Sequence, residues 1–165
     1  MKKHETSTAF LTDNFIRPKR LRMMLSELRK DWKIIDLGCG DRWLTKALRE
    51  KGYDCTGLKW ITDHLPYPDD YFDCSVLIEV IEHLLPDLIP EIERITKRKI
   101  IISTILPHTS PLCHLLIRTR MVNPLSTPHT KEYKLEDIPF KKFKLVKNKR
   151  YWIIDQFGVF ERRLK

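Results

Sequence analysis

Glu79, Glu82 and His83 are spaced so that they could do chemistry together. If residues 79–84 wind into a helix, positions i, i+3 and i+4 share one face, and two carboxylates meet an imidazole. Such a group could hold a divalent cation such as Mg or Mn, the imidazole tilting it away from a purely oxygen-liking Ca. It could equally offer His83 as a general base or as a hydrogen-bonding wall of an acceptor pocket. A second feature is KIIDLGCGDRW at residues 33–43: an apolar run, Asp36, then Gly38, Cys39 and Gly40, then polar residues that open a helical pattern. Strand, glycine turn and helix start, in that order, present backbone N–H groups to a nucleotide-like ligand.

These residues need a scaffold, and the rest of the chain supplies its pattern. Residues 18–30 place Leu21, Met24, Leu25 and Leu28 at helical spacing behind Pro18. Residues 34–37 read as a buried strand, 41–51 as a helix ended by Gly52, 53–58 and 72–78 as strands, 86–96 as a helix and 99–104 as a fourth strand. A proline-bearing loop follows, with a short apolar stretch at 112–117, and residues 141–147 and 151–160 read as terminal strands, paired antiparallel. Strands alternating with helices predict an α/β fold, a doubly wound, mostly parallel sheet with helices on both faces. The 165 residues fit one domain, with a tail and helix at 1–32, a ligand-binding core at 33–104, an acceptor-side loop or lid at 105–140 and terminal strands at 141–165.

No apolar run approaches the roughly 20 residues that span a bilayer, and the first residues lack a secretory pattern, so the expectation is a cytoplasmic protein. Cys39, Cys55, Cys74 and Cys113 are widely spaced and read as free thiols. The net charge of +9 is uneven: residues 1–33 carry +5, residues 131–165 carry +6 and the middle carries −2. Basic ends around a near-neutral core suit an anionic acceptor such as RNA or an acidic surface, and equally a solvated basic exterior.

Beyond the glycine turn, LPYPDDYFD at 65–73 and IEVIEHL at 78–84 follow in order. With them the chain resembles a small, trimmed class I S-adenosylmethionine-dependent methyltransferase, similar to the methyltransferase type 11 group. The resemblance implies a Rossmann-like sheet and S-adenosyl-L-methionine as cofactor, with Asp36, Gly38, Cys39 and Gly40 at its amino-acid end and Glu79 nearby. Asp63 matches the residue that relatives aim at the adenine amino group, His64 stands beside it, and Leu65 falls where the adenine pocket is walled. The chain departs from the family at Lys59. A ribose-binding acid is expected there, and lysine can only donate hydrogen bonds. The expected remedy is Trp60 stacking on the adenine; a pocket for a phosphorylated nucleotide and weakened cofactor binding are the alternatives.

The family also places a helix, a strand and a second helix between the second and third strands seen here, where this chain has only residues 59–71. Thirteen residues reach about 40 Å when extended, enough to return down the sheet but too few for a further strand with its crossovers. A sheet lacking one edge strand is therefore expected. HTKEYKLEDI from His129 resembles a stretch in metal-dependent 2′-O- and O-methyltransferases, which would bring His129 to Glu79, Glu82 and His83 as metal ligands or catalytic groups. The wider group of small-molecule methyltransferases carries E-V-x-E-H without a metal. Tyr151, Trp152, Phe157 and Phe160, set among basic residues, suit a core strand better than base stacking. The function expected is methyl transfer to a small molecule or RNA, in a chain with no DNA-specific motif; the alternative is a methyltransferase-fold binding module for nucleic acid or a protein partner.

Overall fold

The computed structural model describes residues 16–105, 133–150 and 155–164. Within them α1 (Arg17–Leu25), β1 (Lys33–Leu37), α2 (Trp43–Glu50), β2 (Asp54–Leu58), β3 (Phe72–Ile78), α3 (Ile89–Ile95), β4 (Thr96–Ile105), β5 (Phe143–Arg150) and β6 (Asp155–Arg162) follow in chain order. The strands make one sheet in the order β2-β1-β3-β4-β6-β5. The first four are parallel, and β6 and β5 add antiparallel. Every parallel carboxyl end therefore opens on the same side, where ligands of open α/β sheets bind.

Alternating side chains split the core between the two faces of the sheet. Ile34, Cys74, Val76, Ile101, Phe157 and Val159 meet Met24 and Leu28 and the α2 residues Leu44 and Leu48. Ile35, Leu37, Leu77, Ile100, Ile102 and Phe160 meet Ile89, Ile92 and Ile95 of α3. Each such side chain, fully buried, contributes about 1.5–3 kcal/mol. Phe157 and Phe160 are core, as expected, while Tyr151 and Trp152 lie outside the described residues. The 112–117 stretch and Cys113 also lie outside them. No helix among the described residues is long and apolar enough to cross a membrane.

Several boundaries differ from the sequence reading. α1 stops at Leu25 because the Ser26 hydroxyl donates to the Met23 carbonyl at 2.7 Å, turning the chain back on its last turn. Pro90 delays α3: residues Pro86–Leu88 form a 3-10 turn first, and the helix runs straight into β4. The terminal strands sit a few residues later than expected, with β5 over Phe143–Arg150. Gly57 in β2 is required by packing, since a Cβ there would lie 2.6 Å from Thr45 Oγ1 of α2.

Residues 59–71 contain no strand, and β2 is the outermost strand of the parallel side, as their shortness predicts. What holds this link is Glu91 of α3. Its Oε1 accepts from the Leu65 amide at 2.6 Å, and Arg94 bridges both its oxygens at 2.6 and 2.7 Å while reaching Asp69 at 2.8 Å. The Arg94 hydrogen bond holds the Glu91 carboxyl below its ordinary pKa of 4.5. The folded state thus binds this proton less tightly, and the contribution is present above pH 4.5 and lost as pH falls through the folded value. Glu91→Ala, which strands the Leu65 amide and Arg94, is expected to cost about 3 kcal/mol in urea unfolding at pH 7. That deficit should shrink as the pH is lowered below 4.5.

Candidate functional site

The turn after β1 is built on backbone that side chains disfavour. Gly38, Gly40 and Arg42 have φ of +71°, +45° and +62°. At Gly38 a Cβ would also sit 2.5 Å from Val80 Cγ2, so both conformation and space demand glycine there. Only part of the turn's amide set is on offer: the Gly38 and Cys39 N–H groups donate to the Leu58 carbonyl at 2.8 and 3.1 Å, tying the turn to β2. The Gly40 and Asp41 amides bond to no backbone acceptor among the described residues. Asp36, 3% exposed, accepts from the Thr45 amide at 3.1 Å and hydroxyl at 2.6 Å. It thereby caps α2 from a neighbouring strand, a task its own N-cap residue Arg42 leaves undone.

Facing the turn is a charged cluster from three distant parts of the chain. Glu79 follows β3 with φ of +52°, and Arg20 of α1 donates from Nη2 to its carboxylate and to Asp155 Oδ1 at 3.1 Å. Burial pushes the Glu79 and Asp155 carboxyls up, and Arg20 opposes it in both. Arg17 reaches Asp41 at 2.8 Å and lies 5.2 Å from the Trp43 ring centroid. Arg17, Arg20, Asp36, Gly38, Cys39, Gly40, Asp41, Trp43 and Glu79 enclose a cavity of about 320 Å³ at the carboxyl ends of β1 and β3. A larger groove lies at the opposite, amino-terminal edge of the sheet, beside Trp32 and Lys97.

Of the residues singled out in the sequence, Asp36, Gly38, Cys39, Gly40 and Glu79 come together here. Lys59, Trp60, Asp63, His64 and Leu65 do not line this cavity. Lys59 follows β2 directly, its ammonium 5.2 Å from the centroid of Trp60, whose ring is 72% exposed. Asp63 and His64 are exposed, whereas Leu65 is 1% exposed and packs in the core. Residues 79–84 are not one helix: only Ile81–His83 turns, as 3-10, and the left-handed Glu79 swings toward α1. Glu82 is buried and accepts from the Thr104 hydroxyl at 3.0 Å, and His83 is half-buried. Among the described residues no three His, Cys, Asp or Glu side chains are gathered to hold a metal ion, and His129 lies outside them. The sequence reading missed Arg17, Arg20, Trp43 and Asp155; the signal for Arg20 was its place four residues before Met24, on the stripe that α1 buries.

Burial pushes the Asp36 carboxyl from 3.8 up to about 6, the two Thr45 hydrogen bonds opposing it. The folded state then binds the proton more tightly than the unfolded chain, so this group lowers stability as pH rises from 3.8 to about 6 and keeps it lower above. Asp36→Asn removes that charge. Its unfolding free energy relative to the parent is expected to improve by roughly 2 kcal/mol between about pH 4 and pH 7, read from urea midpoints.

No family model and no curated sequence matches the chain. Solved structures do. A SAM-dependent methyltransferase of Methanosarcina mazei superposes with a TM-score of 0.65 at 16% identity, over 87% of this chain and 98% of that one. The S-adenosylmethionine-dependent methyltransferase of Mesorhizobium loti gives 0.65 at 14%, over 91% and 99%. Magnesium protoporphyrin IX methyltransferase of Synechocystis, with bound SAH, gives 0.57 at 15%, over 91% and 88%. The topology, the glycine turn at the carboxyl edge and these superpositions agree: the chain has the class I S-adenosylmethionine-dependent methyltransferase fold.

Proposed function

We propose that this protein transfers a methyl group from S-adenosyl-L-methionine to an acceptor nucleophile. The observation that carries the proposal is the cavity in which the Gly38–Gly40 turn, Asp36 and Glu79 meet Arg20 at the carboxyl end of a parallel sheet. Its donor set fits an amino-acid zwitterion: Glu79 and Asp36 are acceptors for an ammonium, and Arg20 with the Gly40 and Asp41 amides are donors for a carboxylate. When bound, the cofactor supplies a methyl on a sulfonium, which is a good leaving group in a direct displacement.

The protein's share is then placement and desolvation. Gly38 and Gly40 let the main chain approach, Asp36 fixes the start of α2 beneath the turn, and Trp43 and Leu44 wall out water. The ribose and adenine fall to the segment after β2, where Lys59 replaces the usual acid, so Trp60 and Asp63 are assigned that end of the ligand. His83, on the 3-10 turn that follows β3, is assigned the acceptor's proton.

Calorimetric titration with S-adenosylhomocysteine, with NADP as control, tests the reading: heat is expected with the first alone. Glu79→Gln, which trades a charge-assisted contact for a neutral one, is expected to weaken binding about tenfold, equivalent to about 1.4 kcal/mol. Silence toward both ligands would leave a binding module built on this fold. Repeating the titration with manganese, in the parent and in His129→Ala, tests the ion: no gain in affinity from the metal removes it from the site.

A further inference from the structure

The groove at the amino-terminal edge of the sheet is separate from the cofactor cavity and more than twice its size, about 790 Å³. It lies between the segment after α1, the start of β4 and the end of β6, with half-buried Trp32 in its wall. Six cations line it, namely Arg29, Lys97, Arg98, Lys99, Arg162 and Arg163, against the carboxylates of Glu27 and Glu161. Four of the six are already spent: Arg29 on Asp31, Arg98 on Asp73 at 2.8 Å, Lys99 on Glu27 at 3.2 Å, and Arg162 on Asp70. Lys97 and Arg163 are exposed and pair with no carboxylate among the described residues.

The charge continues along β5, the edge strand next to this groove. Lys144 lies opposite Glu161, which lies opposite Lys99, so that row crosses the sheet at the groove. Lys147 pairs across to Val159 and Lys149 to Phe157, both core residues of the face that α1 covers, and directly opposed residues share a face. The three lysines therefore stand on one face of one strand. Lys147 leans on Glu27, whereas Lys144 and Lys149 are exposed and meet no carboxylate among the described residues. β5 ends at Arg150, opposite Gln156 and next to Asp155, the residue that holds Arg20 at the cofactor cavity. Eight residues of strand cover about 27 Å, so the unneutralised cations form a track from groove to cavity.

We infer that this track binds single-stranded RNA, with phosphates on Lys97, Arg163, Lys144 and Lys149 and a base against Trp32. An extended polyanion with π faces matches both components, since stacking tolerates any base and the charges follow the backbone. A duplex would present its bases to each other and offer none to Trp32, whose half-buried ring packs on the core and has Lys99 Nζ 5.6 Å from its centroid. Docking needs no cofactor; only the idea that this RNA carries the methyl acceptor rests on the proposed activity.

The test is fluorescence anisotropy of the full chain with a labelled, mixed-sequence single-stranded RNA, without cofactor. Four phosphate contacts at a slope of about −0.7 each predict that affinity falls about 50-fold between roughly 50 and 200 mM salt. Lys144→Ala with Lys149→Ala, both solvent-facing, should flatten that slope by about 1.4, while Lys46→Ala with Lys51→Ala, exposed on α2 and at its C-cap and lining neither groove nor cavity, should leave it unchanged. Trp32→Leu, which keeps the apolar packing, should weaken binding roughly tenfold with the slope intact. An unaltered slope in the Lys144 and Lys149 variant, equal losses in the Lys46 and Lys51 variant, or equal binding of a labelled polyglutamate peptide or duplex RNA would overturn the inference. Loss of S-adenosylhomocysteine binding with RNA binding intact would instead overturn the activity alone.

Discussion

One buried guanidinium holds the carboxyl end of the sheet together. Arg20 comes from the first described helix, Glu79 from the end of β3 and Asp155 from the start of β6, and no local preference would bring the three into contact. Removing one partner of such a cluster leaves uncompensated charge in a low-dielectric place and costs about 3–5 kcal/mol. A set of well-packed apolar residues could nevertheless fill the space with equal stability. The cluster is therefore poorly explained by stability alone. It sets Arg20 and Glu79 in the cavity wall, ties Arg20 to Asp155, and holds α1 where Arg17 crosses to Asp41 on the glycine turn.

Backbone conformation repeats the lesson. Among the described non-glycine residues with positive φ, Glu79 lines the cavity with Gly38 and Gly40, and Arg42 falls between its lining residues Asp41 and Trp43 in the chain. A non-glycine residue in that region costs of order 1 kcal/mol or more and persists where the surroundings impose it. At Glu79 the left-handed turn carries the carboxylate out of the line of β3 and toward α1. At Arg42 it starts α2 so that Thr45 drops onto Asp36. Two left-handed residues thus set Glu79 toward α1 and Thr45 onto Asp36.

How much of this was legible follows from the range over which each feature is encoded. β1, the glycine turn and α2 are contiguous, and IIDLGCG with the apolar spacing of Leu44 and Leu48 sufficed to place them. The missing edge strand was legible because a chain of thirteen residues has a fixed reach. Glu79, Glu82 and His83 do not share a helical face, because the backbone turns left-handed at Glu79 and only Ile81–His83 coils, which residue spacing alone does not reveal. Arg20 and Asp155 lie 135 residues apart, and nothing local distinguishes an arginine that pairs with a remote aspartate from one in water. The Leu65 amide meets Glu91, 26 residues away, a contact that no local spacing predicts.

The two edges of the sheet show how one residue type can answer two constraints. An open edge strand invites pairing with another chain, and lysines on it suppress that. β5 is long, carries Val146 exposed, and bears lysines at three of its eight positions, whereas β2 has five residues and no lysine until Lys59. Edge protection alone would scatter charge to either face and to the strand's rim. On β5 three lysines instead fall on the face that α1 packs against, in line with the groove, and a register shift between Leu145 and Lys147 restores that facing after Val146. A bulge that returns lysine to one face is what a binding strip requires and what simple repulsion does not. The same residues keep the edge from pairing and, in the RNA-binding inference, give a polyanion a path toward the cavity.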